Sequence, residues 1–180
     1  CIDSFKVTIE LNEAPVVHCP GDTALTLCSL VPVSISGFTA TDPDGDELFV
    51  SVSQGQLNGD TVTFTPVEGE NVIIFSAYDN CESIAACTSI VNVNLNQPPV
   101  CQFPNDTTIT GCVENEICLP VSATDKNGNL VDCQIISGPG VIENGFWCYS
   151  PVTNETIIVT IRCYDACEAY CENSFTVIFD

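Results

Sequence analysis

What this 180-residue sequence lacks already narrows its function. Its only basic residues are Lys6, Lys126 and Arg162, against 24 acidic ones, which gives a formal net charge of −21. Binding to nucleic acid or to anionic lipid headgroups needs clustered cations, so we expect neither partner, and divalent cations become the natural counter-charge. No apolar run approaches the ~20 residues of a membrane-spanning helix, so we expect no membrane span in this chain.

Two further absences concern processing and metal binding. The sequence has no methionine, so we expect a processed or excerpted chain whose signal peptide or anchor is not visible. It also has no Cys-x2-Cys pair, which argues against zinc modules for its 13 cysteines. Because the cytosol keeps thiols reduced, so many cysteines predict disulfides and an extracellular or cell-surface location.

The chain repeats itself, and the repeat sets its domain organisation. The matched segments are Pro20–Cys28 with Pro104–Cys112, Thr39–Asp46 with Ser122–Asn129, Thr65–Ile74 with Ser150–Val159, and Tyr78–Cys81 with Tyr164–Cys167. We therefore expect one repeat over residues 14–96 and a second over 97–180. Residues 1–13 stand before them as an extra N-terminal strand that resembles the last strand of a repeat.

Apolar residues alternate with polar ones in short runs, as in Leu48, Val50 and Val52. This period of two predicts half-buried strands, and no segment keeps a helical stripe over three turns. About seven such strands per repeat predict an all-β fold, a tandem of two antiparallel β-sandwiches. Domains of roughly 85 residues bury too little surface for a strong core, so disulfide staples are expected to contribute to stability.

Several motifs resemble a known family. The run Pro15–Asp22, the Tyr-Asp turn late in each repeat and the final strand opening with Cys87 resemble the hyalin repeat of extracellular adhesive proteins. The resemblance extends to bacterial cadherin-like and immunoglobulin-like arrays, whose units often carry a turn like Asp42–Asp46. It implies immunoglobulin-like sandwiches and an adhesive role. The chain departs from the hyalin pattern where Cys81 and Cys167 stand near the usual Gly-Asn.

The same resemblance implies a set of disulfides. The entry strand of each repeat joins its exit strand, which leaves one further pair per repeat; the expected pairs are Cys19–Cys87, Cys28–Cys81, Cys101–Cys171 and Cys112–Cys167. For the four remaining cysteines of the second repeat we favour Cys118–Cys163 across the sandwich and Cys133–Cys148 across a hairpin. A metal or redox site at Cys163, Cys167 and Cys171 is the alternative. Cys1 is left over, either for a covalent bond to a neighbour or as a lipidated N-terminus.

The acidic turns predict a candidate calcium site. The expected ligands are Asp42, Asp44, Asp46, Asp79 and Glu82, which lie in two loops at the same end of such a sandwich. Calcium takes six to eight oxygen ligands, and a short Asp-x-Asp-Gly-Asp turn supplies several. The alternative is a solvated turn in which these residues simply make the corner. The second repeat keeps Asp125 and Asp165 but has Asn127 and Asn129, so a site there should be weaker.

The sequence shows no catalytic constellation, so we expect no enzyme and no organic cofactor. His18, the one histidine, has no acid and nucleophile placed around it, and no nucleophile elbow, phosphate-binding loop or HExxH motif occurs. Trp147 with Phe146 and Tyr149 could form a sugar-stacking platform, although core packing is the favoured interpretation. Asn105 and Asn154 begin sequons for N-glycosylation.

The N-terminal segment carries the functional hypothesis. Residues Cys1–Ile9 match Cys171–Phe179 in pattern, and Phe5, Val7, Ile9 and Leu11 alternate to give one apolar face. Such a strand needs a sandwich to pair with, which we expect to be a neighbouring repeat or a second copy of the chain. Addition in trans gives a head-to-tail, non-closing contact and hence a cell-surface filament. The alternative is a carbohydrate- or protein-binding module of a larger secreted protein, with cell-surface glycans or proteins as partners.

Overall fold

A computed structural model describes residues 3–9, 11–110 and 115–180 of the chain. The chain divides into two compact units, Cys1–Leu95 and Asn96–Asp180. The described residues are all-β, and they include no helix with the length and apolar character needed to cross a membrane. Asn96, expected to end the first repeat, belongs to the second unit, because its side chain hydrogen-bonds there.

The first unit is a sandwich of two sheets. Its strands are β1 Val16–His18, β2 Thr23–Leu27, β3 Val33–Ser36, β4 Thr39–Thr41, β5 Phe49–Val52, β6 Gln56–Asn58, β7 Thr61–Phe64, β8 Gly69–Tyr78 and β9 Ile84–Leu95. One sheet has the order β2-β9-β8-β5 and the other β3-β7-β6, while β1 pairs with β4. All pairs are antiparallel except β2 with β9, which runs parallel.

The second unit repeats this topology. Its strands are β10 Val100–Gln102, β11 Thr107–Ile109, β12 Ile117–Pro120, β13 Ser122–Thr124, β14 Leu130–Ser137, β15 Val141–Glu143, β16 Phe146–Tyr149, β17 Thr156–Asp165 and β18 Tyr170–Phe179. The sheet orders are β11-β18-β17-β14 and β12-β16-β15, with β10 paired to β13. The edge strand β11 is again parallel to the last strand, β18.

Alternation along the long strands builds each core between the two sheets. In the first unit Val62 of β7 packs with Phe75 of β8 and Val91 of β9. In the second, Trp147 of β16 is fully buried and meets Phe175 of β18 edge to face, with ring centroids 5.4 Å apart. The outward positions of the same strands stay exposed, as the period of two requires.

Disulfides join the entry and last strands of each unit. Cys19 is bonded to Cys87, and Cys101 to Cys171, which are the pairs that the family resemblance implies. Cys19 directly follows β1 and Cys101 lies in β10, so each bridge ties the two-stranded β1-β4 or β10-β13 pair to the last strand of the four-stranded sheet. Each closes a loop with a sequence separation of 68 or 70 residues.

The other two expected bridges of the second unit are wrong. The structure pairs Cys118 with Cys148 and Cys133 with Cys163. Cys118 and Cys148 are register partners on β12 and β16 of one sheet, and Cys133 and Cys163 are register partners on β14 and β17 of the other. The expected pairs would have joined strands of different sheets, whereas direct neighbours in a sheet already have their Cα atoms 4.1 and 3.9 Å apart.

The expected Cys28–Cys81 bridge is also wrong, because the two residues lie at opposite ends of the first unit. Cys81 is an exposed free thiol in the turn before β9, while Cys28 is disulfide-bonded and follows Leu27, the partner of Leu95. The 11 steps from Ile84 to Leu95 along β9 span about 35 Å. A disulfide needs Cα atoms within about 7 Å. Cys112, the expected partner of Cys167, and Cys1 lie outside the described residues.

Candidate functional site

Hydrogen bonds organise the Asp-rich turn of the first unit around one carboxylate. Asp42 Oδ1 accepts the backbone N–H groups of Asp44 and Asp46 at 2.9 and 3.2 Å. Gly45 has a φ of +83°, a left-handed conformation that glycine adopts without steric cost and that lets the turn close. Asp42 Oδ2 is buried and has no hydrogen-bond partner in the described part of the chain. A buried carboxylate oxygen without a donor is costly, so it calls for a water or a cation.

The linker before β1 binds to the same end of the unit. Asn12 donates through Nδ2 to Asp79 Oδ2 and to Ser83 Oγ, each at 2.9 Å, and the Glu13 N–H donates to Asp44 Oδ2 at 2.7 Å. Asp79 is 3 % exposed, and its carboxylate also accepts hydrogen bonds from N–H groups of its own turn. These hydrogen bonds offset the cost of burying the charge. The pKa of Asp79 is below its ordinary value, and the hydrogen bond from the Asn12 amide is the largest cause. Burial acts second and raises the pKa, and the backbone N–H donors act third and lower it. We call the end of the unit that carries Asn12, the Asp42–Asp46 turn and the turn at Asp79 its entry end.

The free thiol of Cys81 sits in this entry end. Although the residue is exposed, partial desolvation of its sulfur raises its pKa, and the nearby carboxylates of Asp46, Asp79, Asp42 and Asp44 raise it further. A high pKa keeps the sulfur protonated and unreactive at neutral pH. Desolvation and the surrounding carboxylates therefore act in the same direction on the pKa of this thiol.

The second unit has the same arrangement with amides in place of two carboxylates. Asn96 donates to Asp165 Oδ2 at 2.6 Å, and the Gln97 N–H donates to Asn127 Oδ1 at 2.8 Å. Asn129 donates to Asn96 Oδ1 at 2.8 Å, a contact that an aspartate at that position could not make. Asp125 Oδ2 is buried without a donor in the described chain, like its counterpart Asp42 Oδ2.

The expected calcium ligands come together only in part. Four of them, Asp42, Asp44, Asp46 and Asp79, lie close enough to Cys81 for their charges to act on its thiol. Oxygens of Asp42, Asp44 and Asp79 already accept N–H donors. Glu82 is exposed in the β8–β9 turn, at a φ of +68°. Among the described residues, no three ligand atoms of these side chains lie within 4.8 Å of one another. The unpartnered Asp42 Oδ2 fits a cation, but the rest of the set is arranged for internal hydrogen bonds.

The alternative site at Cys163, Cys167 and Cys171 is excluded by the disulfides. The sulfurs of Cys101, Cys163 and Cys171 all lie within 4.8 Å of one another, yet each is in a disulfide, and Cys167 is disulfide-bonded as well. Metal binding and thiol redox chemistry both need a thiolate. No cysteine of this set supplies one.

The N-terminal segment leaves its apolar face in water. Phe5, Val7, Ile9 and Leu11 are 89, 65, 79 and 82 % exposed. Residues 3–9 have no strand assignment, in contrast to the last strands β9 and β18. In the part of the segment that the structure describes, the apolar face that the sequence assigns to pairing is therefore exposed.

The remaining predicted residues fall into two groups. Trp147 is 0 % exposed and donates through Nε1 to the Pro139 carbonyl at 2.9 Å, so it belongs to the core and offers no sugar platform. Phe146 stays 44 % exposed. His18, Asn105 and Asn154 are all exposed, the two sequon asparagines in loops.

A partly exposed and an exposed tyrosine, Tyr164 and Tyr170, occur elsewhere, in a shallow groove of about 480 Å³ on the four-stranded sheet of the second unit. Tyr164 and Tyr170 line it with Asp132, Gln134 and Glu168. Arg162 lies beside the groove, 4.2 Å from the Tyr170 ring centroid, and is paired with Glu172. The sequence analysis missed this groove because the pairing of Tyr164 with Tyr170 depends on strand register, which is not visible in the sequence. The one available signal was that both tyrosines flank the repeated Tyr-Asp turn.

Two facing sheets with a parallel edge strand beside the last strand define an all-β, immunoglobulin-like sandwich in each unit, which confirms the expected fold class. Neither a protein-family model nor a curated protein matches the chain. Three solved structures place the fold among known proteins. PcdhgB3 EC1-4 has 14 % identity and a TM-score of 0.52 over 93 % of this chain and 50 % of that one.

Human protocadherin-24 EC1-2 has 14 % identity and a TM-score of 0.50, with 94 % of this chain and 99 % of that chain covered. The Sidekick-1 immunoglobulin domains 1-4 give 14 % identity and a TM-score of 0.42 over 93 % and 49 %. The chain thus spans about half the length of the Sidekick-1 and PcdhgB3 structures. The similarities to PcdhgB3 and protocadherin-24 support the cadherin-like sandwich fold, and the hyalin part of the resemblance stays a prediction.

Proposed function

We propose that this chain is a non-enzymatic, structural or adhesive extracellular protein whose N-terminal strand joins it to a neighbouring sandwich of its own class. The observation that carries the proposal is a contrast in burial. Phe5, Val7 and Ile9 are 89, 65 and 79 % exposed, whereas the matching Phe175, Val177 and Phe179 of β18 are 1, 0 and 3 % exposed. Burying such side chains is worth about 1.5–3 kcal/mol each, which favours a partner.

The disulfides support the extracellular part of the proposal. Bridges such as Cys19–Cys87 persist in oxidising compartments and are rare in the cytosol. Head-to-tail strand addition between identical chains produces filaments when the rotation from one copy to the next does not close a ring. The partners are copies of this chain or neighbouring repeats.

A matched pair of variants tests the assembly strand. Val7→Asp places a charge on the apolar face, whereas Thr8→Asp places the same charge on the opposite face of the segment. We expect sedimentation velocity and electron microscopy to show assemblies for the natural chain and for Thr8→Asp, and monomers for Val7→Asp and for a chain without residues 1–12. Equal assembly of all four chains would refute the proposal.

Calcium at the entry end is a finer part of the proposal, supported by the unpartnered Asp42 Oδ2. Asp42, Asp44, Asp46 and Asp79 would hold the ion, and its chemistry there would be charge neutralisation. The test is the melting temperature at low salt with calcium and with chelator. We expect chelation to lower it in the natural chain and much less in Asp42→Asn. If chelator does not change the melting temperature, the acidic turn binds no calcium that stabilises the fold.

A second candidate function is carbohydrate binding, favoured by the groove at Tyr164 and Tyr170. Tyrosine rings stack on sugars, and nearby carboxylate and amide groups accept and donate hydrogen bonds to hydroxyls. A glycan array with the natural chain, Tyr170→Ala and the control Ile84→Ala, its counterpart in the first unit, tests this function. Binding that is lost only in Tyr170→Ala supports it, and an array without signal refutes it.

A further inference from the structure

Strand β5 gives the first unit an open sheet edge. It is the last strand of the order β2-β9-β8-β5, and β8 is its one neighbour in the described sheets. The Ser53 N–H donates to the Ile74 carbonyl of β8 at 2.9 Å. Because such bonds alternate along an antiparallel pair, the backbone N–H and C=O groups of Val50 and Val52 point away from β8. An edge that presents such groups can pair with a further strand.

The equivalent edge of the second unit, β14, is less suited to strand addition. It has register shifts between Leu130 and Asp132 and between Ile135 and Ser137, whereas β5 pairs with β8 without a shift. Bulges of this kind twist an edge strand and interrupt its pairing. The first unit therefore has the more regular of these two edges.

An apolar groove of about 290 Å³ lies beside β5. Val50 lines it from the β5 edge and Ala40 from β4. Phe38 and Phe75, which are 1 and 2 % exposed, line it from the core. Phe5 of the same chain is 89 % exposed and so does not fill this groove. The groove suits an apolar side chain of a strand that is added at the β5 edge.

The outer face of the same sheet carries two stacked aromatic rings. Phe49 and Tyr78 have ring centroids 5.4 Å apart and are 44 and 43 % exposed. The second unit supplies its own cation to the aromatic rings of this face, since Arg162 lies 4.2 Å from the Tyr170 ring centroid. Residues 14–95 contain no lysine or arginine. The aromatic pair of the first unit therefore has no cation from its own sandwich.

The N-terminal segment carries the groups that this edge lacks. In an extended strand, Phe5 and Val7 lie on one face and Lys6 on the other. If Phe5 pairs with Val50 in an antiparallel register, Lys6 comes to lie beside Phe49. One register thus places an apolar ring at the groove and an ammonium group at the exposed aromatic pair, where cation–π attraction favours it. The positive charge of Lys6 also complements a sandwich whose charged side chains are acidic.

Resting on the proposed function, we propose that β5 of the first unit is the acceptor edge for the N-terminal segment of a second copy of this chain. The segment adds as an antiparallel fifth strand to the β2-β9-β8-β5 sheet. Phe5 enters the groove, and Lys6 lies over Phe49 and Tyr78. Backbone hydrogen bonds then supply affinity, and the groove and the aromatic pair supply specificity.

Amide exchange in the assembled chain locates the acceptor edge. The reference is Val7→Asp, which is expected to remain monomeric. In the natural chain at assembling concentration, the amides of Val50 and Val52 should exchange at least about tenfold more slowly than in the reference, because they become hydrogen-bonded. The amide of Val131 on β14 should exchange alike in both chains. Slowed exchange at β14 or β11 in place of β5 overturns the inference.

A pair of proline variants tests the same edge by sedimentation velocity. Val50→Pro removes an N–H that points away from β8, so the β5–β8 ladder keeps its bonds and the added strand loses one. We expect this variant to associate at least about tenfold more weakly. Val131→Pro is the matched control, because Val131 is an exposed edge residue at a register shift. It should assemble like the natural chain.

A charge reversal tests the contact without any effect of proline on folding. Lys6→Glu should weaken association about tenfold, since it replaces cation–π attraction by repulsion from an acidic unit. Lys126→Glu makes the same change of charge in the second unit and should leave association unchanged. Equal association of the two variants overturns the assigned contact.

The same measurements separate this inference from the proposed function. Assembly that needs residues 1–12 but is unaffected by Val50→Pro and Lys6→Glu refutes the β5 edge alone. A natural chain that stays monomeric refutes the proposed function and the inference together. Slow exchange of the Val50 amide in such a monomer shows that the segment pairs with β5 of its own chain.

Discussion

The two units build the same sandwich but fasten equivalent strand pairs differently. Where the second unit joins β12 to β16 through Cys118–Cys148, the first joins β3 to β7 through a hydrogen bond of 2.8 Å between the hydroxyls of Ser34 and Thr63. Both pairs are directly opposed in register. The difference shows that residues directly opposite each other on neighbouring strands are replaced as a pair. At the same position of the same fold, one unit has a disulfide and the other has two hydrogen-bonded hydroxyls.

The second exchange lies in the other sheet. Cys133 and Cys163 of the second unit correspond to Val50 and Ala77 of the first, which are also register partners. The buried Cys163 is 0 % exposed, as is Ala77. The first unit therefore forms the same sandwich without a bond at this position, so the extra bonds are an addition to the fold rather than a requirement of it.

The largest effect is expected when the second unit is given the chemistry of the first. Cys118→Ser with Cys148→Thr removes a bridge of sequence separation 30. Loss of the bridge, partly offset by a new hydroxyl hydrogen bond, should lower the free energy of unfolding of this unit by about 2–3 kcal/mol. Trp147, the one tryptophan, reports this unit alone in urea unfolding followed by fluorescence. A loss under about 0.5 kcal/mol would show that the bridge does little.

The reverse exchange should strengthen the first unit by less. Ser34→Cys with Thr63→Cys places two thiols on register partners, and their oxidation should add about 1–2 kcal/mol, since engineered bridges fall short of native ones. Amide exchange of β9 measures the stability of this unit in the intact chain. Ser34→Cys alone is the matched control. Equal protection of the β9 amides from exchange in the single and the double variant would contradict the expectation.

Sequence patterns were sufficient for the sandwich fold because alternation and turn residues are local. The pairing of Cys118 with Cys148 was missed, because it depends on which strands become neighbours and on their register, and neither property is local. The expected Cys28–Cys81 pair failed for a related reason: the parallel placement of β2 beside β9 puts the two cysteines at opposite ends. The repeated Asn-x-x-Pro linker motif could have pointed to Asn12, but its contact with Asp79 appears only in the folded unit.

The linker contacts give a smaller, pH-dependent difference between the units. The folded-state pKa of Asp79 is lowered, chiefly by Asn12, so the stabilisation it brings is present above the ordinary pKa of aspartate and is lost as pH falls through the lowered value. In Asn12→Ala we expect the pKa of Asp79 to rise and the acid-dependent part of the unfolding free energy to shrink. Carboxyl-carbon NMR titration measures the pKa. Asn96→Ala, the equivalent change in the second unit, should leave Asp79 unaffected, and a shift there would contradict a local cause.

The smallest effect concerns the reactivity of Cys81, and it follows from one of the two carboxylates that the second unit replaces with amides. Asp46 stands where the second unit has Asn129, and after desolvation its charge is the largest cause that raises the pKa of the Cys81 thiol. Only the thiolate reacts with iodoacetamide, so a raised pKa makes alkylation slow at neutral pH and faster as pH rises. Asp46→Asn removes one negative charge, lowers the pKa of the thiol and should speed alkylation at neutral pH, with a rate that converges on that of the natural chain above the pKa of both. Asp60→Asn, in a different turn, is the control for a general change of charge. If the two variants react alike at every pH, the charge of Asp46 does not govern the reactivity of the thiol.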